Sequence, residues 1–296
     1  MIDIHAHIGS FEGYDLSKPT LLAEVAGAGV ELALVSNIDG AAVPGKTRNL
    51  SETEANRATE RFVRSYPAAF RGLLWGRPDR GDASELEPFA ALRLDPSSAP
   101  GHRNWTRRLF VGLKLHPEMN HVPADAPAMD PYLRFAARHG YPVVAHCDGQ
   151  VDEASAARLL ALARRHPNVP VVLYHTGFQG PHEPAIAAAE AGLGLSGQGP
   201  PADVWLETAQ LPPAAALEAV ERVGAGRVLF GTDATFYGRG HYARYRPLLA
   251  ALKDALSPAD LARVTRENAR ALFRLQGQGP PDSALTAATA SDPNSP

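Results

Sequence analysis

The sequence predicts an α/β protein folded as a single (β/α)8 barrel, and three observations carry the prediction. Short apolar runs recur eight times along the 296 residues. The stretches between them are long enough for a helix and its loops, which is the rhythm of β/α units. Several runs end in histidine or aspartate, at the strand ends where a barrel places its chemistry.

In chain order the strands are expected at 2–8, 31–38, 70–76, 110–115, 142–147, 170–175, 204–208 and 228–232. Most are nearly continuous apolar runs, as in a parallel sheet with helices on one face and its own interior on the other. Between them lie segments such as 152–165, where Ala156, Leu159, Leu160 and Ala163 repeat at helical spacing. A doubly wound open sheet is the rival fold. Its Gly-rich turn after the first strand is missing, because His5 and His7 occupy that place. The long connection 78–108 contains Pro88, Pro96 and Pro100 and is expected to lie over the barrel mouth. The barrel is expected to span 1–275, with a disordered tail at 276–296 rich in Ser, Thr, Ala and Pro.

Composition narrows the partner class. Hydrophobic residues make up 45% of the chain, enough for the large core a barrel needs. The formal net charge is −3 and there is no long basic run, so no nucleic-acid or anionic-membrane partner is expected. A small-molecule substrate is expected instead, and a homo-oligomer is compatible with it. The single cysteine, Cys147, excludes an internal disulfide and fits a reducing compartment. The opening Met1-Ile2-Asp3-Ile4-His5 is not a targeting segment, and no run of about 18 apolar residues is available to span a bilayer. The chain reads as soluble and cytoplasmic.

Side chains two apart in a strand share a face, so His5 and His7 converge if either points inward, with Cα atoms about 6.5 Å apart. In a closed barrel the eighth strand lies beside the first, which brings Asp233 to the same place. Two more runs end in His146 and His175. Single histidines after apolar runs are more often core residues, and an Asp after a strand often caps the next helix. Four histidines and an aspartate at one barrel mouth point instead to a divalent metal. Lys114 and His116 share a face at the end of the fourth strand. Lys114 is either an amine that meets an anionic substrate or carboxylate, or a carboxylated bridge between two metals. Cys147 follows His146 and alternation turns it toward the helix layer, a structural position.

Together His5-Ala6-His7, Gly112-Leu113-Lys114-Leu115-His116-Pro117, Val144-Ala145-His146, Tyr174-His175-Thr176-Gly177 and Phe230-Gly231-Thr232-Asp233 resemble the metal-dependent amidohydrolase superfamily. The resemblance covers residues 1 to about 275. Because the chain opens almost on its first strand, no flanking β-sandwich is expected. That is similar to the compact amidohydrolase-related branch, which includes aminocarboxymuconate-semialdehyde decarboxylase. The resemblance implies one metal held by His5, His7, His146 and Asp233, with His175 as a catalytic residue beside it. In the phosphotriesterase-like arrangement Lys114 and His175 would bind a second metal.

The expected activity is that of a metal-dependent hydrolase that cleaves an ester, lactone, amide or related bond with metal-activated water. Asp233 would hold the water and move its proton, and His175 would orient it or stabilise an oxyanion. Zinc suits the ligand set, while manganese, iron, cobalt and nickel accept it. Substrate contacts are expected from Lys114, His116 and the loops after strands three and eight, where Arg77, Tyr237, Arg239 and His241 are candidates. The alternative is a nonoxidative decarboxylase on the same scaffold. A third reading is a metal-binding barrel without turnover.

Overall fold

The computed structural model describes residues 1–41, 48–95 and 105–276. Apart from Gln276, the expected tail lies outside them, as do Pro96 and Pro100. Eight parallel strands follow one another in sequence order: β1 (Ile2–Ile8), β2 (Leu32–Asn37), β3 (Phe70–Trp75), β4 (Phe110–Leu115), β5 (Val143–Asp148), β6 (Val171–Phe178), β7 (Val204–Glu207) and β8 (Val228–Leu229). Helices between them cover the outside. The chain end returns to the chain start through a parallel bridge between Ala6 and Ala234, with His7 N–H donating to Ala234 O and Ala234 N–H to His5 O. This is a (β/α)8 barrel. No helix among the described residues is long and apolar enough to cross a membrane.

Two layers of apolar side chains divide the sheet. Ile2, Ile4, Leu32, Leu34, Val111, Val144, Val172 and Leu229 fill the interior, where Phe273 and Leu275 pack with them and Trp105 lies against the same cluster. Alternate residues such as Val35, Leu74, Leu113, Ala145, Leu173 and Leu206 pack outward against the helices. Cys147 belongs to this outer layer, and burial pushes its thiol up to about 12. It is a core residue, as alternation implies.

β8 is shorter than expected because its later N–H groups have partners off the ladder. Phe230 N–H donates to Val264 O, Gly231 N–H to Thr208 Oγ1 and Thr232 N–H to Asp3 Oδ1. The helix expected from 152 begins at Ala156, after a 3-10 turn at Asp152–Ala154. The connection after β3 departs further from expectation. None of its described residues lines the cavity at the barrel mouth. Its return limb runs at the opposite end, where Thr106 N–H donates to Leu275 O, because the chain must reach the barrel floor to begin β4.

Candidate metal centre

Strand alternation alone does not explain how β1 presents its histidines. Ile2 and Ile4 point into the barrel, so a regular strand would send His5 and His7 outward. The pairing with β2 jumps from Asp3↔Ala33 to Ala6↔Val35, two residues of β1 facing one of β2. This bulge resets the parity, and both imidazoles reach the cavity below which Ile4 packs. β6 uses another device. Tyr174 points inward, so His175 should point outward; instead His175 and Thr176 take left-handed backbone conformations, with φ of 66° and 49°. Non-glycine residues held there store roughly 1–3 kcal/mol of strain. Glu207 offsets it: Oε2 accepts from His175 N–H at 2.7 Å, and the Glu207 backbone exchanges hydrogen bonds with Thr176 Oγ1.

His5, His7, Lys114, His116, His146, His175 and Asp233 all line one cavity of about 200 Å3. His5 Nε2 and His7 Nε2 lie 3.2 Å apart, and Asp233 Oδ1 lies 3.4 Å from the first and 3.2 Å from the second. The ligand atoms of His5, His175 and Asp233 fall within 4.8 Å of one another. His146 stands across the same cavity, its ring 4.8 Å from that of His175. It stacks on His116 at 4.0 Å and approaches Glu118. The expected group of His5, His7 and Asp233 is therefore brought together with His175, and His146 faces it.

These residues fit a divalent cation. Both ring nitrogens of His146, His5 Nδ1 and Lys114 Nζ are buried without a hydrogen-bond partner, which is costly unless another group meets them. Burial, with neighbouring positive groups, holds His5, His116 and His175 well below the ordinary imidazole value, so their lone pairs are free to ligate. His7 is lowered by burial too, and its Nδ1 lies 3.1 Å from Ser36 Oγ, leaving Nε2 for the cavity. Burial alone would raise Asp233. Its contacts with the His7 and His175 imidazoles and the Gln210 amide carry it well below the usual carboxylate range. Burial brings Lys114 down to about 7 against the pull of Asp233 and Glu207. Its Nζ lies 4.1 Å over the Tyr174 ring.

Of the expected substrate contacts, Lys114 and His116 line the cavity and the others do not. Arg77 is buried, its guanidinium held by Asp79, Asn49 Oδ1 and Leu50 O. Arg239 is exposed. His241 is buried against Tyr237, Tyr242 and Tyr245, with Nδ1 accepting from Tyr237 N–H, and Tyr237 lines a separate groove. Strand-end position selected these residues correctly as loop residues but not their direction. Two residues beside the site escaped sequence reasoning. Glu207 ends β7, a carboxylate at a strand terminus like Asp233, and that signal was available. Burial pushes it up to about 8, and its Oε2 lies 3.5 Å from His5 Nδ1. Gln210 carries no such signal.

The rest of the wall mixes aromatic side chains with Leu16, Ile38, Met119, Glu118 and Gln179. Phe11, Tyr14, Phe178 and Phe236 line it, with Tyr14 4.7 Å from Phe236 and Phe178 6.2 Å from Phe236 by ring centroids. Lys114 is the only lysine or arginine among the described lining residues.

An amidohydrolase family model matches residues 2–275, and the chain belongs to that family. No curated protein matches it in sequence. Among solved structures it is similar to 2,6-dihydroxybenzoate decarboxylase from Rhizobium, with 15% identity, a TM-score of 0.62 and coverage of 92% of this chain and 98% of that one. It is similar to 5-carboxyvanillate decarboxylase from Novosphingobium aromaticivorans, solved with manganese and a nitrobenzoic acid, at 14% identity, TM-score 0.64 and coverage of 93% and 96%. A candidate 2-pyrone-4,6-dicarboxylic acid hydrolase from Pseudomonas putida matches at 17% identity, TM-score 0.60 and coverage of 92% and 97%. At such identities these likenesses establish the fold.

Proposed function

We propose that this chain is a metal-dependent decarboxylase of a small, planar, unsaturated carboxylic acid. The observation that carries the reading is the pairing of one buried lysine with an aromatic wall above the histidine–aspartate cluster. We assign His5, His7, His146 and Asp233 as ligands of one divalent cation. The imidazole-rich set suits zinc, and manganese, present in the similar 5-carboxyvanillate decarboxylase structure, is the second candidate. Such a cation supplies a Lewis acid and a fixed positive charge.

The protein's own groups then divide the work. Lys114 and His116 bind the anionic oxygens of the substrate. Phe11, Tyr14, Phe178 and Phe236 hold a flat ring by face and edge contacts and exclude water. When the carbon–carboxylate bond breaks, its electron pair stays on the unsaturated carbon, carbon dioxide leaves, and the vacated position takes a proton that His175, neutral at rest, has first accepted from a substrate hydroxyl or water. The apolar wall favours departure of a neutral product from a charged reactant.

Hydrolysis is the second reading, favoured by the ionised Asp233 carboxylate beside His5 and His7, which can hold and orient an attacking water. The protein loaded with zinc or manganese is tested on aromatic and unsaturated carboxylic acids and on esters, lactones and amides. Carbon dioxide released in step with loss of the acid is the expected result. Turnover confined to lactones, esters or amides would move the assignment to hydrolysis.

A further inference from the structure

Gln210 follows β7 in a left-handed backbone conformation, φ 55°, and its side chain lies between Asp233 and His175. The two ends of a primary amide are chemically different, and here their directions follow from the neighbours. Asp233 as a carboxylate is acceptor-only, so the Gln210 Nε2 amide donates to Asp233 Oδ2 at 3.0 Å. The amide oxygen is thereby aimed at His175 Nδ1, with which it is in hydrogen-bond contact. An oxygen acceptor there requires a proton on Nδ1, and a neutral imidazole has only one.

We infer that Gln210 is a positioning residue that locks His175 in the Nδ1–H tautomer, with the bare Nε2 edge turned to the cavity, and couples that imidazole to Asp233. The seat of Gln210 is itself tied to the strand end that carries Asp233. Its backbone N–H donates to Tyr245 Oη at 3.1 Å, and the Tyr245 hydroxyl donates to Thr232 O at 2.6 Å. Tyr245 is buried, so this tie is rigid. His116 is fixed in the opposite sense. Its Nδ1 accepts from Met119 N–H, so its proton is on Nε2. The cavity thus holds one imidazole that donates to an anionic oxygen and one that accepts a proton. When His175 takes up that proton, Gln210 still accepts from Nδ1–H and the Asp233 carboxylate faces the new charge.

The inference takes from the proposed function only that turnover passes through this cavity. The test is 15N NMR of histidine-labelled protein, metal-free and zinc-loaded, with the His175 ring assigned by its loss in His175→Gln. In the wild type the His175 Nδ1 should resonate as a protonated nitrogen and Nε2 as an unprotonated or metal-bound one. Gln210→Leu should release the tautomer, and Gln210→Glu, which keeps an acceptor toward Nδ1, should retain it. On whichever substrate the panel identifies, Gln210→Leu should lower kcat roughly 10- to 100-fold with little change in KM. A wild-type His175 protonated on Nε2, or a tautomer unchanged in Gln210→Leu, would overturn the inference. If the NMR result is as expected but no carboxylic acid is decarboxylated, the inference stands and the proposed reaction falls.

Discussion

Lys114 is the residue on which the number of metals turns. Its amine is buried, lies over the face of Tyr174 and makes no hydrogen bond. A cation over an aromatic face is stabilised there without a carboxylate, and such an amine is available to an arriving anion. With one metal bound, Lys114→Met should leave metal content at roughly one per chain and lower kcat/KM for the acid by about 10- to 100-fold. Metal analysis and kinetics on the same preparation check both parts. Two tightly held metals that fall to one in the variant would instead make Lys114 a bridging ligand. Much at this scale was readable in advance: His5, His7, His146, His175 and Asp233 stand out because chemically active residues end apolar runs. Arg77, Arg239 and His241 were misdirected, because a loop side chain takes whatever partner lies nearest, and for Arg77 that is Asp79.

Elements decide which way those residues face, and here the sequence is silent. A bulge in β1 and two left-handed residues in β6 both override simple alternation; no glycine marks the bulge, and in β6 Gly177 only follows the pair. The helix Glu52–Ser65 shows the opposite case. Ser51 and Glu54 form a capping box that is visible as a pattern. Its first residue, Glu52, has Oε2 accepting from Arg77 N–H and the Tyr132 hydroxyl, and burial pushes it from 4.5 up to about 7. Below pH 4.5 the carboxyl is protonated in both folded and unfolded chains. Between 4.5 and about 7 only the folded chain keeps the proton, so stability falls as pH rises through that window and levels off above it. The loss is at most about 3 kcal/mol. Denaturant titrations across the window should show it in the wild type, and Glu52→Gln should flatten it. An identical slope in the variant would exclude Glu52 as its source.

At the scale of the whole molecule, the barrel is built as two unequal ends. The mouth carries charge, strain and orphaned nitrogens, whereas the floor is sealed by apolar side chains from the last described residues, Phe273 and Leu275. Phe273→Ala should cost roughly 3–5 kcal/mol of stability while the folded fraction keeps its metal content. A stability loss under 1 kcal/mol would show that the floor does not depend on this plug. The eight-unit rhythm made the barrel legible, while the described part of the connection 78–108 misled because prolines announce a loop without saying which end it visits. The seam where the barrel closes has a further consequence, for the order of events in folding. Asp3 accepts from Thr232 N–H and Oγ1 and from the Tyr242 hydroxyl, contacts spanning 229 and 239 residues. Closing a loop of that length carries an entropic penalty of roughly 5 kcal/mol, and it must be met before His5 and Asp233 can be neighbours. A chain emerging from the ribosome therefore holds His5, His7, His146 and His175 without Asp233 beside them until the eighth strand has been made. On the proposed ligand set, metal capture would then come last and act as a latch on a barrel whose two ends have already met.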